Sequence, residues 1–197
     1  TYLKGIIYVG DRKYESGPDA SQPAKPLSES LKTLGIKLRR FKTGTPARVA
    51  KDSIDYDKLE IQYGDEHIVP FSFETEGPMV NKATCWIGYT NEETHEIIRK
   101  NIGRSPLYSG KIEGIGPRYC PSIETKIVTF PDREKHPLFL EPEGLDNNEL
   151  YLNGFSSSLP MDIQLEALRQ IPCFRDIKVF RPGYAIEYDF FDPTQLK

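Results

Sequence analysis

Nine residues, Gly116 to Glu124, read GPRYCPSIE and put a thiol where thiols are seldom found. Cys120 stands between Pro117 and Pro121, with Arg118 two positions before it. Proline fixes φ and has no N–H to give, so this stretch can hardly be a helix interior or a central strand. A lone cysteine is usually a small apolar filler inside a regular element. A thiol on a stiff loop beside a cation is different, because the thiolate is the reactive form and a guanidinium in contact lowers a pKa that is ordinarily about 8.5. Such a group can add to an electrophilic carbon, and it can equally be structural. The residue types alone leave both open.

The other candidates are weaker. Cys85 lies in the apolar run TCWIGY and Cys173 follows Pro172, so both read as packed. No CxxC pair suggests zinc, and His67, His95 and His136 have no metal-ligand spacing, so no metal is expected. FKTGTPAR reads as a glycine turn with Lys42, Thr43, Thr45 and Arg48 around it, a turn that could offer N–H groups and cations to a phosphate. Glu141 and Glu143 in FLEPEG invite an acid–base reading, but a spacing of two on a strand also places both on one solvated face. Two basic stretches, Lys37 to Lys42 and Arg99 to Arg104, read from charge alone as solvated faces.

The elements that must carry these groups follow from periodicity. TYLKGIIYVGD reads as two short strands about Gly5, and SGPDASQPAKP as a loop. In LSESLKTLG, Leu27, Leu31 and Leu34 share a helical face, with Ser28 as N-cap and Gly35 beyond the end. IKLRRFKTG alternates as a strand and ends in the turn TGTP. SIDYDKLEIQYGD is ambiguous between a short helix and a loop with a strand. TNEETHEIIRKNIG predicts a helix with a capping box, Thr90 with Glu93, a stripe of Ile98 and Ile102, and Gly103 ending it. KIVTF, PLFLE and ELYL read as strands, SLPMDIQLEALRQIP as a helix opened by Pro160, and DIKVF and YAIEYDFF as closing strands. Strands outnumber helices and loops join most of them. The expected class is therefore α+β, with a mixed, largely antiparallel sheet and a few helices.

A chain of 197 residues with net charge −3 and mean hydropathy −0.52 describes a soluble protein with a real core, and not a tight autonomous nucleic-acid binder. Three scattered cysteines make no disulfide framework, so a reducing cytoplasm is the expected setting. No apolar run approaches the roughly 20 residues that span a bilayer. The first and last runs both read as strand, which suggests that the chain is cut from something larger.

The order of the segments adds a resemblance. KTGTPAR, FSF, YTNEETHEIIRKNI, RSPLYSG, GPRYCPSIETKIVTF, FLEPEG, SSSLPMDIQ and RPGYAIEYDFFDP follow one another as in the MnmG/GidA family, over essentially the whole chain. The family's members are flavoproteins that modify the wobble uridine of tRNA. The resemblance implies FAD and NADH as cofactors, methylene-tetrahydrofolate as carbon donor, the GTPase MnmE as partner, a homodimer in the full-length protein, and no membrane. It implies an internal piece of a glutathione-reductase-like FAD enzyme, lacking the flavin fingerprint and a second functional cysteine, and inactive alone. Residues 1–46 would flank the FAD domain, 47–135 would form an inserted domain with the cysteine loop, and 136–197 would return to the FAD domain. Carried over residue by residue, Cys120 is the functional cysteine, and Gly116, Pro117, Arg118, Tyr119, Pro121, Ser122, Ile123, Glu124, Lys126 and Phe130 belong to a dinucleotide-binding stretch. Ala24 stands where relatives have a flavin-side serine, and KTGTPAR would face the flavin region. Lys37, Arg39, Arg40, Lys42, Arg99, Lys100 and Arg104 then read as part of a tRNA surface. The competing reading is a stand-alone RNA- or nucleotide-binding or partner-docking module with a structural Cys120.

Overall fold

The computed structural model describes residues 2–116 and 121–196. Strand β1 (Leu3–Val9) forms a hairpin with β2 (Arg12–Glu15), and a loop leads to helix α1 (Lys25–Thr33). The long β3 (Leu38–Ala50) follows, then β4 (Glu60–Gln62), β5 (Cys85–Tyr89), α2 (Glu92–Lys100) and α3 (Ile123–Thr129). The chain continues through β6 (Pro137–Pro142), β7 (Glu149–Ser156), α4 (Met161–Arg169), β8 (Val179–Arg181) and β9 (Tyr184–Phe191). The strands make one sheet in the order β2-β1-β9-β3-β7-β6-β5-β4, with β8 also on β3, and every named pair is antiparallel. The α+β class expected from the sequence is the class observed.

Strand β3 joins the two halves of the sheet. From Leu38 to Thr45 it pairs with β9, and from Pro46 to Ala50 it pairs with β7. The changeover falls at a proline, which has no N–H for a ladder, and a register shift follows between Pro46 and Arg48. The TGTP segment is therefore extended strand and not a turn. Gly44 lies opposite Ala185, its φ is not positive, and no concave nest of N–H groups forms there.

The main core lies on the β7 side. Ala47, Val49, Leu138, Leu140, Leu150 and Leu152 point from the sheet onto Ile98, Ile123, Ile127, Ile163 and Leu168 of α2, α3 and α4. Helix α3 corrects the strand reading of KIVTF. Ser122 caps it by accepting from Thr125 N, and the pair Ile123 and Ile127, four apart, is buried, so packing overrides the β-branched composition. Helix α2 is capped by Asn91, whose Oδ1 accepts from Thr94 N at 3.0 Å. Thr90 makes no capping box. Its hydroxyl meets His95 Nε2 at 2.7 Å and accepts from His136 N at 2.8 Å. In α1, Ser28 is buried inside the helix and Ala24 takes the cap position, while Gly35 beyond the end has φ +85°. Leu27 of that helix and Leu34 at its C-cap are exposed. SIDYDKLEIQYGD resolves into the end of one 3-10 turn (Lys51–Ser53), a second at Tyr56–Lys58, and β4, and β1 is a single bulged strand through Gly5.

Candidate functional site

The thiol loop lies outside the described residues at its centre: Pro117, Arg118, Tyr119 and Cys120 are not described. Both flanks are described, and both are held by buried carboxylates. On the N-terminal side, Glu187 of β9 receives Glu113 N at 2.9 Å and also Gly114 N. Its other oxygen meets Arg40 Nη2 at 3.2 Å and Tyr8 OH at 3.4 Å. Arg40 also reaches Asp189 at 2.9 Å. Lys42 N donates to Ile115 O at 2.9 Å, and Phe41 and Ile115 form a short parallel bridge. Burial and the Glu187 charge raise the Tyr8 pKa above its usual value.

On the C-terminal side, Glu124 is wholly buried. One oxygen accepts from Ser158 N at 3.0 Å, Ser157 Oγ at 3.1 Å and Ser105 Oγ at 3.5 Å. Lys126 Nζ donates to Gly154 O at 3.0 Å. Of the remaining dinucleotide-stretch residues, Gly116 is exposed, Pro121 is half-buried, Ser122 and Ile123 are buried, and Phe130 is half-exposed. Glu124 thus turns inward to the serine cluster of SSSLP, and Ile123 belongs to the core. No sequence pattern had connected Glu187 or the serines with this loop, because the contact spans 73 residues of chain.

A second feature lies along KTGTPAR. A cavity of about 300 Å³ is lined by Thr43, Gly44, Thr45, Arg48, Tyr151, Arg181 and Tyr184, with Tyr2 and Asp19 at its edge. The Arg48 guanidinium stacks 4.3 Å from the Tyr151 ring centroid, donates to Thr45 Oγ1 at 2.9 Å, and is paired with Glu143. Arg181 meets Asp19 at 2.6 Å and Glu149, and the Glu149 contact raises its pKa further. Asp19 and Ala20 both hold positive φ, +51° and +58°, and left-handed backbone in residues other than glycine is costly. Two guanidinium groups held by Glu143, Asp19 and Glu149 beside three tyrosine rings make a surface for a planar ligand. Ala24, just before α1, is half-buried and offers no side-chain hydrogen bond. Glu141 and Glu143 have separate partners, Asn153 and Arg48, so they form no acid–base pair.

The basic stretches divide by strand alternation. Lys37 and Arg39 are exposed, whereas Lys42 is only 4% exposed and Arg40 is tied to Glu187 and Asp189. The continuous basic face expected over Lys37 to Lys42 is therefore split. Arg99, Lys100 and Arg104 lie at the surface, paired with Glu92, Glu96 and Asp162. Cys173 is buried and its thiol is pushed up to about 12 by desolvation; Cys85 is half-buried and shifted the same way. His95 and His136 are buried with ring centroids 5.4 Å apart, while His67 is exposed. Among the described residues no group of three His, Cys, Asp or Glu could hold a metal ion, and no helix is long and apolar enough to cross a membrane.

An α+β chain with one shared antiparallel sheet, a buried carboxylate holding Glu113 and Gly114, and an arginine–tyrosine cavity is what these residues build. The model of the family "Glucose inhibited division protein A" matches residues 1–197, and the chain belongs to that family. It is 58% identical over 196 residues to the tRNA uridine 5-carboxymethylaminomethyl modification enzyme MnmG of Clostridium botulinum (strain Loch Maree), covering 100% of this chain and 31% of that protein. It is 55% identical over 197 residues to the enzyme of the same name from Phocaeicola vulgatus, of which it covers 32%. Two crystal forms of Aquifex aeolicus GidA have the same fold. Form I gives a TM-score of 0.90 at 50% identity, with 100% of this chain and 34% of that one covered. Form II gives 0.88 at 46%, with 100% and 32% covered. The chain thus spans about a third of the length of the relatives it matches.

Proposed function

We propose that this chain is the thiol-bearing part of an enzyme that attaches a carboxymethylaminomethyl or aminomethyl group to C5 of the wobble uridine of tRNA. The observation that carries the reading is the identity of 58% over the full chain to a protein named for that modification, with GPRYCPSIE included in the matched span. Cys120 is the reactive group: as a thiolate it adds to the uracil ring or handles the one-carbon unit. Arg118 beside it in sequence either lowers the thiol pKa or pairs with a cofactor phosphate.

The whole enzyme uses FAD and NADH, takes its carbon from methylene-tetrahydrofolate, works with the GTPase MnmE, dimerises, and acts in the cytoplasm. The cavity along Thr43–Thr45 suits one part of a flavin nucleotide, because Tyr151 and Tyr184 offer ring faces, and Arg48 and Arg181, each held by carboxylates, offer planar groups, in about 300 Å³. That volume takes a ring system or a phosphate group and not a whole dinucleotide. When bound, the flavin and nicotinamide supply the redox chemistry; this chain's residues orient them and present the thiol. The exposed cations Lys37, Arg39, Lys100 and Arg104 and the half-buried Arg99 contribute phosphate contacts that position tRNA without reading sequence. The chain alone is inactive.

The test is Cys120→Ser in the full-length protein, with modified uridine in tRNA measured by mass spectrometry. Loss of the modification with unchanged thermal unfolding is expected. Ordinary modification levels refute the chemical role of the thiol and favour a docking or RNA-binding module.

A further inference from the structure

We infer that the sheet face carrying Arg39, Phe41, Tyr188 and Phe190 is a stacking platform for unpaired RNA bases; the inference rests on the reading of tRNA as the substrate. The register of β3 against β9 sets Arg39 opposite Phe190, Phe41 opposite Tyr188 and Thr43 opposite Ile186. Side chains alternate across a strand, so these three pairs share one face. Arg40, Lys42, Glu187 and Asp189 share the other.

The two faces reverse the usual arrangement. Charge is inside: Lys42 is 4% exposed, Glu187 4% and Asp189 7%, with Glu187 holding Glu113 and Gly114. The rings are outside, for Tyr2, Phe41, Tyr188 and Phe190 are each only half-buried. Large apolar side chains grouped in contact with solvent mark a surface that meets a ligand.

The rings form a continuous strip. Tyr2 meets Tyr188 with centroids 4.9 Å apart, Tyr188 meets Phe41 at 6.0 Å, and Phe41 meets Phe190 at 5.4 Å, all edge to face. The guanidinium of the exposed Arg39 lies 5.5 Å over the Phe190 ring. At its other end the strip runs into the arginine–tyrosine cavity, which Tyr2 and Thr43 also line.

Charge and shape select the occupant. The three register pairs hold one cation and no carboxylate, and the exposed Lys37 lies two residues before Arg39. Asp192, just past β9, has its carboxylate occupied by Thr194 N at 3.0 Å and Thr194 Oγ1 at 2.7 Å. Nucleobases stack on aromatic rings and on guanidinium planes, and their phosphates meet the cations. An aliphatic protein surface would gain nothing from Arg39 and Lys37. Bases in a duplex are already stacked on one another, so the ligand is the unpaired loop of a folded RNA.

The test uses the full-length protein and two RNA probes, a hairpin with unpaired loop bases and a blunt duplex of the same length. Affinity is read by fluorescence anisotropy across a salt series. Phe190→Leu keeps an apolar side chain and removes the ring, while Arg39→Lys keeps the charge and removes the plane. Each is expected to weaken hairpin binding about tenfold, to change duplex binding by less than about twofold, and to leave the salt slope unaltered. Phe190→Tyr is expected to restore hairpin affinity. Hydroxyl-radical footprinting should oxidise Tyr188 and Phe190 in the free protein and spare them once the hairpin is bound. Arg39→Lys changes an exposed side chain and carries the test if Phe190→Leu does not fold. Hairpin affinities equal to wild type, equal losses for the two RNAs, or rings already protected without RNA overturn the inference; the last result means that another protein segment covers the face. Loss of flavin absorbance from Phe190→Leu with hairpin binding kept also overturns it, and assigns the rings to the cofactor. Those failures leave the tRNA reading standing. A wild-type protein that binds neither RNA overturns that reading, and the platform with it.

Discussion

Acidification tests how the helical layer is closed. His136 is 6% exposed and His95 1%, and desolvation lowers both pKa values, that of His136 from 6.5 to about 4. His95, Lys126 and Arg133 add repulsion that also disfavours a proton on His136. The unfolded chain takes that proton near pH 6.5, while the folded one does not until about pH 4. The contribution to stability is therefore complete above pH 6.5, drains as the pH falls to about 4, and then stops. The depressed value corresponds to about 3 kcal/mol over that window. Carboxylates titrate there too, so the comparison must be between wild type and His136→Gln, in urea unfolding series at about pH 7.5 and about pH 4.5. Wild type should lose about 2.5 kcal/mol more than the variant. Equal losses in the two proteins refute the claim that this imidazole is buried neutral.

Three further outcomes check other parts of the structure. Asn91→Ala should cost about 1 kcal/mol in urea unfolding and Glu93→Ala almost nothing, because the cap of α2 is Asn91 and not a Thr90–Glu93 box. Gly154→Ala should destabilise by about 2 kcal/mol or more by the same measurement, since φ is +98° and a Cβ would meet Pro137 O at 2.6 Å. Cys173, with its thiol pushed up to about 12, should resist a thiol reagent at neutral pH until the chain is unfolded.

The long amphipathic and alternating runs were legible in the sequence. The faces of α2 and α4 and strands β6, β7 and β9 follow from periodicity, and the α+β class follows from them. The misreadings have local causes. Ile, Val and Thr in KIVTF favour a strand in isolation, whereas the fold buries Ile123 and Ile127 on one helical face behind a Ser122 cap. TGTP carries turn residues, yet β9 pairs with it in register through Thr45, a partner 139 residues away at Tyr184 by subtraction of the two positions. Thr90 fits a capping pattern, but two histidines claim its hydroxyl. Of the candidate site, the cysteine loop was visible as a motif. The hold of Glu187 on Glu113 and Gly114 was not, because an ion cluster of Arg40, Glu187 and Asp189 is made by register between β3 and β9 and leaves no mark in either strand alone.

The passage of β3 from one partner strand to another has a mechanical consequence. Thr43, Gly44, Thr45 and Arg48, which wall the arginine–tyrosine cavity, and Ala47 and Val49, which plug the main core, lie on one extended strand and alternate beyond Pro46. Inserting or deleting one residue at Pro46 would turn every later side chain of the strand to the opposite side, evicting Ala47 and Val49 from the interior and taking Arg48 out of the cavity wall.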